Sequence, residues 1–240
     1  PTTDQLIDYV NGKEDLNKRL IRAIGTPEDR IQEDKLRMLR AVRFAATYEF
    51  AIEPETMHAI QSAAAEITVV SGERIGTEMR RMLTHSNRAT AISLLRETQL
   101  IEKIIPNAAS LFPNNKTWDD LLSQLRRLNG NFESALAVLM EPIFTESVLN
   151  SVFSGWKLSN HEIKAVRWIH QNWKKLVDAE QRPWSVIQPL LTHRQSRSAL
   201  AIAACQTEIT SAGVQFCRDR LTWESERLNP PPLLDGSTLI

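Results

Sequence analysis

Acidic and basic side chains cluster between residues 30 and 40, at spacings that place them on one face of a predicted helix. Glu33 and Arg37 are four residues apart, and Asp34 and Arg37 are three apart, so their side chains are neighbours on a helix surface. Arg40 lies one step further along this face, and Arg30 lies one turn behind it. The carboxylate of Asp34 can only accept hydrogen bonds, and the guanidinium of Arg37 can only donate them.

Such an acceptor and donor pair suits the Watson–Crick edges of cytosine and adenine. Both bases present an exocyclic amine, which Asp34 could bind, beside an unprotonated ring nitrogen, which Arg37 could bind. Uracil and guanine present a carbonyl and a ring N–H instead, and each buried mismatch would cost about 1–3 kcal/mol. The pair could therefore select C and A without a nucleic-acid template. The alternative from the pattern alone is an ordinary surface salt bridge.

The elements that must position these side chains are predicted to be helices nearly throughout. Glycines number only eight, Ala, Leu, Arg and Glu are abundant, and no run of alternating β-branched residues stands out. One helix is predicted over residues 33–48, and Ser71 is predicted to cap a helix that ends near Leu83. Residues 107–116 are typical of a linker. Rear helices are predicted at about 118–128, 132–140, 145–153, 160–179, 184–191 and 196–228.

Three sequence motifs and a C-terminal segment point to a family. Residues 8–16 have the pattern D-x-x-x-G-x-x-D-L, residues 33–37 have E-D-x-x-R, and residues 70–75 have V-S-x-E-R-I. Residues 230–240 are similar to a P-x-P-L-x-x-G-x-D-L-I segment. These motifs resemble those of class II RNA nucleotidyltransferases, the family of CCA-adding enzymes and bacterial poly(A) polymerases. The resemblance covers about residues 8–106 and returns at the C-terminus.

The resemblance implies an all-α fold, an elongated multi-helix neck and body with a short remnant of an α/β head at the N-terminus. It implies the end of the catalytic head in residues 1–27 and the base-reading neck in residues 28–106. The helical, tRNA-binding body would be residues 107–228, and residues 229–240 would begin a truncated tail. The chain is therefore expected to be cut at both ends.

The resemblance also implies roles for individual residues. Asp34 and Arg37 would read the base of CTP or ATP, and Glu33 would hold Arg37 in place. Arg40 would position the triphosphate or brace the helix. Asp15 and Arg22 would belong to the hinge between head and neck and contact the ribose or the phosphates.

The family's reaction is attack by an RNA 3′-hydroxyl on the α-phosphate, assisted by Mg²⁺. It needs a Gly-Ser loop and a D-x-D carboxylate pair that holds two metal ions. The chain contains no D-x-D, and Gly236-Ser237 lies too near the C-terminus to serve. This polypeptide alone is therefore predicted not to catalyse transfer, although the intact protein would add C and A to the tRNA 3′ end.

Charge gives a mixed indication of RNA binding. The chain has 29 basic and 29 acidic residues, a balance that does not favour nucleic-acid binding. Residues 151–200, however, hold eight Lys or Arg and three acids, a local excess that could follow phosphates. The predicted contacts to the tRNA acceptor end, or to another RNA 3′ end, are Lys157, Lys164, Arg167, Lys174 and Lys175. Trp168 and Trp173 lie among them and could stack on bases or pack in the core.

Two other functions remain open from the sequence. One is a poly(A) polymerase or A-adding relative, whose base-reading pair would look the same. The other is a non-catalytic helical RNA-binding module. The absence of a long apolar run excludes a membrane span, and Cys205 and Cys217 are typical of buried thiols in a reducing cytoplasm. The sequence leaves the oligomeric state open.

Overall fold

Helix dominates the computed structural model, which describes residues 7–111, 114–206 and 211–231. The first helices are α1 (Gly12–Lys18), α2 (Pro27–Glu33), α3 (Leu36–Tyr48), α4 (Pro54–Ala63), α5 (Gly72–Thr84), α6 (Arg88–Glu97) and α7 (Ile101–Ile104). The later ones are α8 (Asn115–Arg127), α9 (Phe132–Met140), α10 (Glu146–Gly155), α11 (Asn160–Asn172), α12 (Trp184–Thr192), α13 (Ser196–Cys205), α14 (Ala212–Arg220) and α15 (Ser225–Leu228). Short 3₁₀ helices lie at Ala64–Val69, Ala108–Leu111, Glu141–Ile143, Trp173–Leu176 and Ala179–Gln181. The all-α fold class is confirmed.

The chain forms two compact units. The first contains the residues up to Arg126 together with Leu139–Ser159, and the second contains Arg127–Val138 and the residues from Asn160 onward. This division groups residues 1–106 with part of the predicted body. The limits predicted for head, neck, body and tail stay predictions.

A short pair of parallel strands, which the sequence did not indicate, organises the start of the first unit. β1 (Leu20–Ile21) pairs with β2 (Ala51–Ile52). A further contact lies just beyond the two strands. The hydroxyl oxygen of Thr56 accepts a hydrogen bond from the amide of Ala23 at 3.1 Å. Residues 20–23 are thereby fixed to the segment that follows α3. Two-residue strands are too short to show any alternation in sequence.

The core of the first unit forms around α3. Met38, Leu39 and Val42 are fully buried on this helix, which packs against α5 and α6. Met79 of α5 and Leu95 of α6 are fully buried as well. Burial of large apolar side chains of this kind contributes about 1.5–3 kcal/mol per residue, so α3 is firmly held on its inner face while its outer face remains available.

Two glycines let α5 approach the end of α10 closely. A Cβ atom on Gly72 would lie 1.8 Å from the carbonyl oxygen of Gly155, and one on Gly76 would lie 2.1 Å from that of Trp156. Trp156 is itself fully buried, and its indole N–H donates to the carbonyl oxygen of Ile104 at 3.0 Å. No residue larger than glycine fits at either position on α5 without movement of the backbone.

Three long helices predicted from periodicity are interrupted. The predicted helix 33–48 begins only at Leu36, because Asp34 has an extended backbone. The predicted helix 160–179 ends at Asn172, whose side-chain amide donates to the carbonyl oxygen of Trp168 at 2.8 Å and competes with the helix ladder. The predicted helix 196–228 is broken, because Ser211 caps a separate helix by accepting from the amide of Val214.

The predictions for Ser71 and for the linker are each met only in part. Ser71 occupies the N-cap position of α5 as predicted, but its side chain makes no capping hydrogen bond. The predicted linker 107–116 contains a 3₁₀ turn and the start of α8, and part of it lies outside the described residues. Residues 1–6 and the family-like segment from residue 232 onward also lie outside them.

The second unit is centred on α13. This helix packs against α11, α12, α14 and the 3₁₀ helix Trp173–Leu176. Ala199 and Ala203 are buried on its inner face, and both cysteines are buried and outside any disulfide, as predicted. α14 lies against the turn that ends at Gln181, with Gly213 so close that a Cβ atom would meet the carbonyl oxygen of Val177 at 2.4 Å.

Candidate nucleotide and RNA interface

Asp34 lies at a break between two helices rather than on a continuous helix. It ends α2 with φ −152° and ψ 104°, and its Oδ1 accepts from the amide of Leu36 at 3.1 Å. A short acceptor side chain bonded to a backbone amide two residues ahead is a common alternative to helix continuation. The prediction that Asp34 and Arg37 share one helix face is therefore wrong in its geometry, since only Arg37 is helical.

The second oxygen of Asp34 is held from a distant part of the sequence. Arg74, on α5, donates from Nη2 to Asp34 Oδ2 at 2.8 Å. This hydrogen bond lowers the pKa of Asp34 below its ordinary value, with help from the amide of Leu36 and the charges of Arg74 and Arg37, against the opposing effect of burial. Asp34 is thus an ionised acceptor at neutral pH.

Arg37 is braced as the sequence predicts. Its Nη2 donates to Glu33 Oε2 at 3.1 Å, and the same carboxylate accepts from Arg30 Nη1 at 2.8 Å. Arg30 also donates from Nε to the carbonyl oxygen of Ile24 at 2.8 Å. Glu33 therefore holds two arginines across the end of α2, and both remain partly exposed.

Asp15 and Arg22 are brought together. Arg22 Nε lies 3.0 Å from Asp15 Oδ2, and Arg22 Nη2 lies 2.8 Å from the same oxygen. Arg22 Nη2 also donates to the carbonyl oxygen of Val10 at 2.8 Å. The pair fixes α1 to the residue that follows β1. Their assignment to a hinge between head and neck stays a prediction.

A cleft beside α3 gathers most of the predicted arginines. It has a volume of about 230 Å³ and an apolar wall that includes Ile21, Ile31 and Phe44. Its arginines are Arg22, Arg30, Arg37 and Arg40. Arg40 is exposed, with its guanidinium carbon 5.8 Å from the centre of the Phe44 ring. Such a cleft can offer guanidinium donors to phosphates and an apolar surface to a base or ribose.

Asp34 is not among the residues that line this cleft. The structure thus brings Arg37 together with Arg22, Arg30 and Arg40, and it directs the carboxylate of Asp34 toward Arg74. Arg74 had no predicted role. The sequence feature that sets Arg74 apart is its place as the third residue of α5, where a capping box would have an acidic residue.

The five predicted RNA contacts divide between the two units. Lys157 belongs to the first unit, where it is exposed and has a left-handed backbone with φ 52°. The other four belong to the second unit. Lys164 and Lys174 are exposed there, while Lys175 donates to Asn172 Oδ1 at 2.9 Å and Arg167 is half-buried.

The two tryptophans beside these residues are engaged in packing. Trp173 is buried. The Trp168 ring stacks on His193 with ring centres 3.8 Å apart, which occupies one of its faces. Packing is therefore the role that the structure supports for both rings.

Residues 49–112 match the family model described as "Probable RNA and SrmB- binding site of polymerase A". A CCA-adding enzyme of Enterococcus faecalis is 33% identical over 168 residues, which is 69% of this chain and 40% of that enzyme. A CCA-adding enzyme of Bacillus subtilis is 41% identical over 100 residues, 42% of this chain and 25% of that enzyme.

The chain belongs to the CCA-adding enzyme and poly(A) polymerase family. Within this family, its fold matches the structure of a Bacillus stearothermophilus CCA-adding enzyme in complex with CTP. The TM-score is 0.75 at 26% identity, over 89% of this chain and 53% of that one. A Thermotoga maritima CCA-adding enzyme complexed with tRNA has the same fold, with a TM-score of 0.71 at 19% identity, over 97% of this chain and 57% of that one. The chain spans less than two thirds of the length of these family members.

Across the described ranges, no helix is both long and apolar enough to cross a membrane.

Proposed function

We propose that this chain supplies the base-reading and RNA-binding parts of a nucleotidyltransferase that adds C and A to the 3′ end of tRNA. CTP and ATP would be its nucleotide substrates, and the tRNA acceptor end its RNA partner. The relatives named as CCA-adding enzymes support this function, including the one solved with CTP. The buried cysteines, both outside any disulfide, fit a cytoplasmic protein.

The observation that carries the proposal is the arrangement of Asp34 and Arg37 around the break between α2 and α3. Each oxygen of Asp34 accepts one hydrogen bond and retains a second lone pair. Arg37 gives one of its five N–H groups to Glu33. Both groups therefore keep the capacity to bind the edge of cytosine or adenine, with Arg37 lining the cleft and Asp34 lying outside its lining.

The remaining arginines of the cleft would serve the rest of the nucleotide. Arg40, exposed beside Phe44, would meet the triphosphate. Arg22, positioned by Asp15, would meet the ribose or the phosphates. Arginine suits this task because its planar fork matches two phosphate oxygens at once.

We propose Mg²⁺ ions for the intact enzyme, held by carboxylates that this chain does not contain. When bound, such ions would stabilise the attacking and leaving oxygens of phosphoryl transfer. Among the described residues, no group of three His, Cys, Asp or Glu side chains could hold a metal ion. The residues present therefore do not fit the metal, and no step of the reaction is assigned to them through it.

The test is nucleotide transfer by the full-length gene product to tRNA lacking its 3′ CCA. Each of the four nucleoside triphosphates is offered singly to wild type, Asp34→Ala and Arg37→Ala. We expect discrimination against UTP and GTP to fall roughly tenfold to a hundredfold in either variant, since each lost contact is worth about 1–3 kcal/mol. Asp178→Ala is the matched control, because Asp178 pairs with Arg182 in the second unit and does not line the cleft.

Each other outcome has a distinct meaning. Addition of A alone by the wild type would move the protein to the poly(A) polymerase or A-adding branch. Unchanged discrimination in both variants would remove Asp34 and Arg37 from base reading. Failure of the wild type to transfer any nucleotide, with RNA binding retained, would leave a non-catalytic RNA-binding module.

A further inference from the structure

A second arginine-lined groove lies within the second unit. It has a volume of about 440 Å³, and its lining brings together the end of α8, one face of α13 and the last part of α14. The arginines are Arg127, Arg197 and Arg218, one from each helix. None of the described residues that line the groove is acidic.

One of these arginines is fixed by the fold. Arg127 donates from Nε at 3.1 Å and from Nη2 at 2.9 Å to the carbonyl oxygen of Cys205. Two donations to one acceptor hold the guanidinium in a set orientation at the C-terminus of α13. A fixed guanidinium loses less side-chain entropy when it binds an anion than a mobile one does.

The other two arginines form no ion pair in the part of the chain that the structure describes. Arg197 and Arg218 are exposed, and neither forms a salt bridge with a described carboxylate. By contrast, Arg182 of the same unit is neutralised by Asp178 at 2.6 Å. The groove therefore concentrates positive charge in a chain whose net charge is zero.

The floor of the groove leaves room between the arginines. Arg197, Ala201 and Ala204 are four and three residues apart on α13 and lie on one helix face. The two methyl side chains are the smallest that a helix accepts without the conformational cost of glycine. They leave an open, shallow surface between Arg197 and its neighbours, with the side chain of Asn129 as a further polar group.

We propose that this groove binds backbone phosphates of the RNA that the enzyme holds. The proposal rests on the proposed function and adds a site to it, distinct from the lysines and Arg167 singled out in the sequence. Phosphate is the anion class that guanidinium forks match, since the exposed forks of Arg197 and Arg218 can each donate two parallel hydrogen bonds to one phosphate. Contacts to the backbone fix register and orientation and carry no base specificity.

The experiment measures tRNA binding by the full-length gene product over a series of salt concentrations. The variants are Arg197→Ala, Arg218→Ala and the double variant, with Arg182→Ala as the matched control. The affinity falls as the salt concentration rises, so the plot of log affinity against log salt has a negative slope. Each lost phosphate contact should make this slope less steep by about 0.7–0.9. We expect each single variant to bind about fivefold more weakly at moderate salt, the double variant to lose more, and the control to match wild type.

Three results would overturn the proposal. The first is a double variant that keeps the affinity and salt slope of a wild type that binds tRNA, which leaves the proposed function intact. The second is a wild type that does not bind RNA, which removes the RNA-binding part of the proposed function as well. The third is a double variant that binds RNA like wild type but no longer binds polyglutamate. The groove would then bind an acidic protein segment and not RNA. Arg218→Lys should restore the salt slope by keeping the charge, and thermal unfolding verifies that each variant is folded.

Discussion

The contact between α5 and the end of α10 allows a test in which replacing glycine by alanine should destabilise a helix instead of stabilising it. Replacing glycine by alanine inside a helix normally stabilises the protein by about 1 kcal/mol, because alanine has the higher helix propensity. At Gly76 the added Cβ would lie 2.1 Å from the carbonyl oxygen of Trp156, more than 1 Å closer than van der Waals contact allows. A backbone oxygen cannot rotate away, so α5 or the end of α10 must move.

The expected magnitude follows from these opposing effects. Overpacking of a close contact costs about 1–3 kcal/mol, and more when backbone must shift. After the gain in helix propensity, we expect Gly76→Ala to lose about 2 kcal/mol of unfolding free energy. In a unit of this size, that loss lowers the melting temperature by roughly 4–8 °C.

Gly155→Ala is the matched control. Its Cβ would meet nothing within 4 Å, although Gly155 belongs to the same contact. We expect this variant to be unchanged or up to about 1 kcal/mol more stable. Urea denaturation followed by far-ultraviolet circular dichroism measures both, with each transition fitted separately because the chain has two units. Equal stability of the two variants would refute the steric reasoning.

Three further predictions concern contacts in the first unit. Arg43→Ala should cost about 3 kcal/mol in urea denaturation, because the buried carboxylate of Glu78 would keep only Arg81, at 3.4 Å; a loss below about 1 kcal/mol would contradict this. In the full-length gene product, Arg74→Ala should move the acidic limb of kcat/KM for CTP to higher pH. The reason is that the lowered pKa of Asp34 keeps it ionised until the pH falls through that value, and the variant gives up the main cause of the lowering; an unchanged limb would exclude a role for the ionised Asp34 in the use of CTP. Trp156→Phe should cost about 1–2 kcal/mol, because the carbonyl oxygen of Ile104 loses its buried donor, and thermal unfolding that matches wild type would exclude that role.

The sequence predicted two of the rear helices closely from their apolar periodicity. The helix predicted at 132–140 has the bounds of α9, and that predicted at 184–191 differs from α12 by one residue. Periodicity failed where a polar side chain competes for the backbone. Asp34, Asn172 and Ser211 each bond to a nearby backbone group and interrupt a pattern that otherwise continues.

The candidate site was predictable only as far as its contacts are local. Glu33 and Arg37 are four residues apart, so their contact follows from helix geometry. The contact from Arg74 to Asp34 spans 40 residues, and the groove of Arg127, Arg197 and Arg218 joins three separate helices. Neither leaves a periodic signal, because tertiary packing brings these side chains together. The family resemblance located the proposed base-reading pair, and the structure shows the contacts that its two members make.

The two cysteines have a practical consequence for studying this protein. Both are buried, and burial raises the pKa of the Cys217 thiol to about 11. Because the thiolate is the reactive form, thiol reagents should modify these two cysteines slowly in the folded protein at neutral pH. A cysteine introduced at an exposed position, such as Lys164, would then be the fast-reacting thiol. Fluorophores or spin labels could be attached there without first removing Cys205 and Cys217, which leaves the packing around α13 and α14 intact.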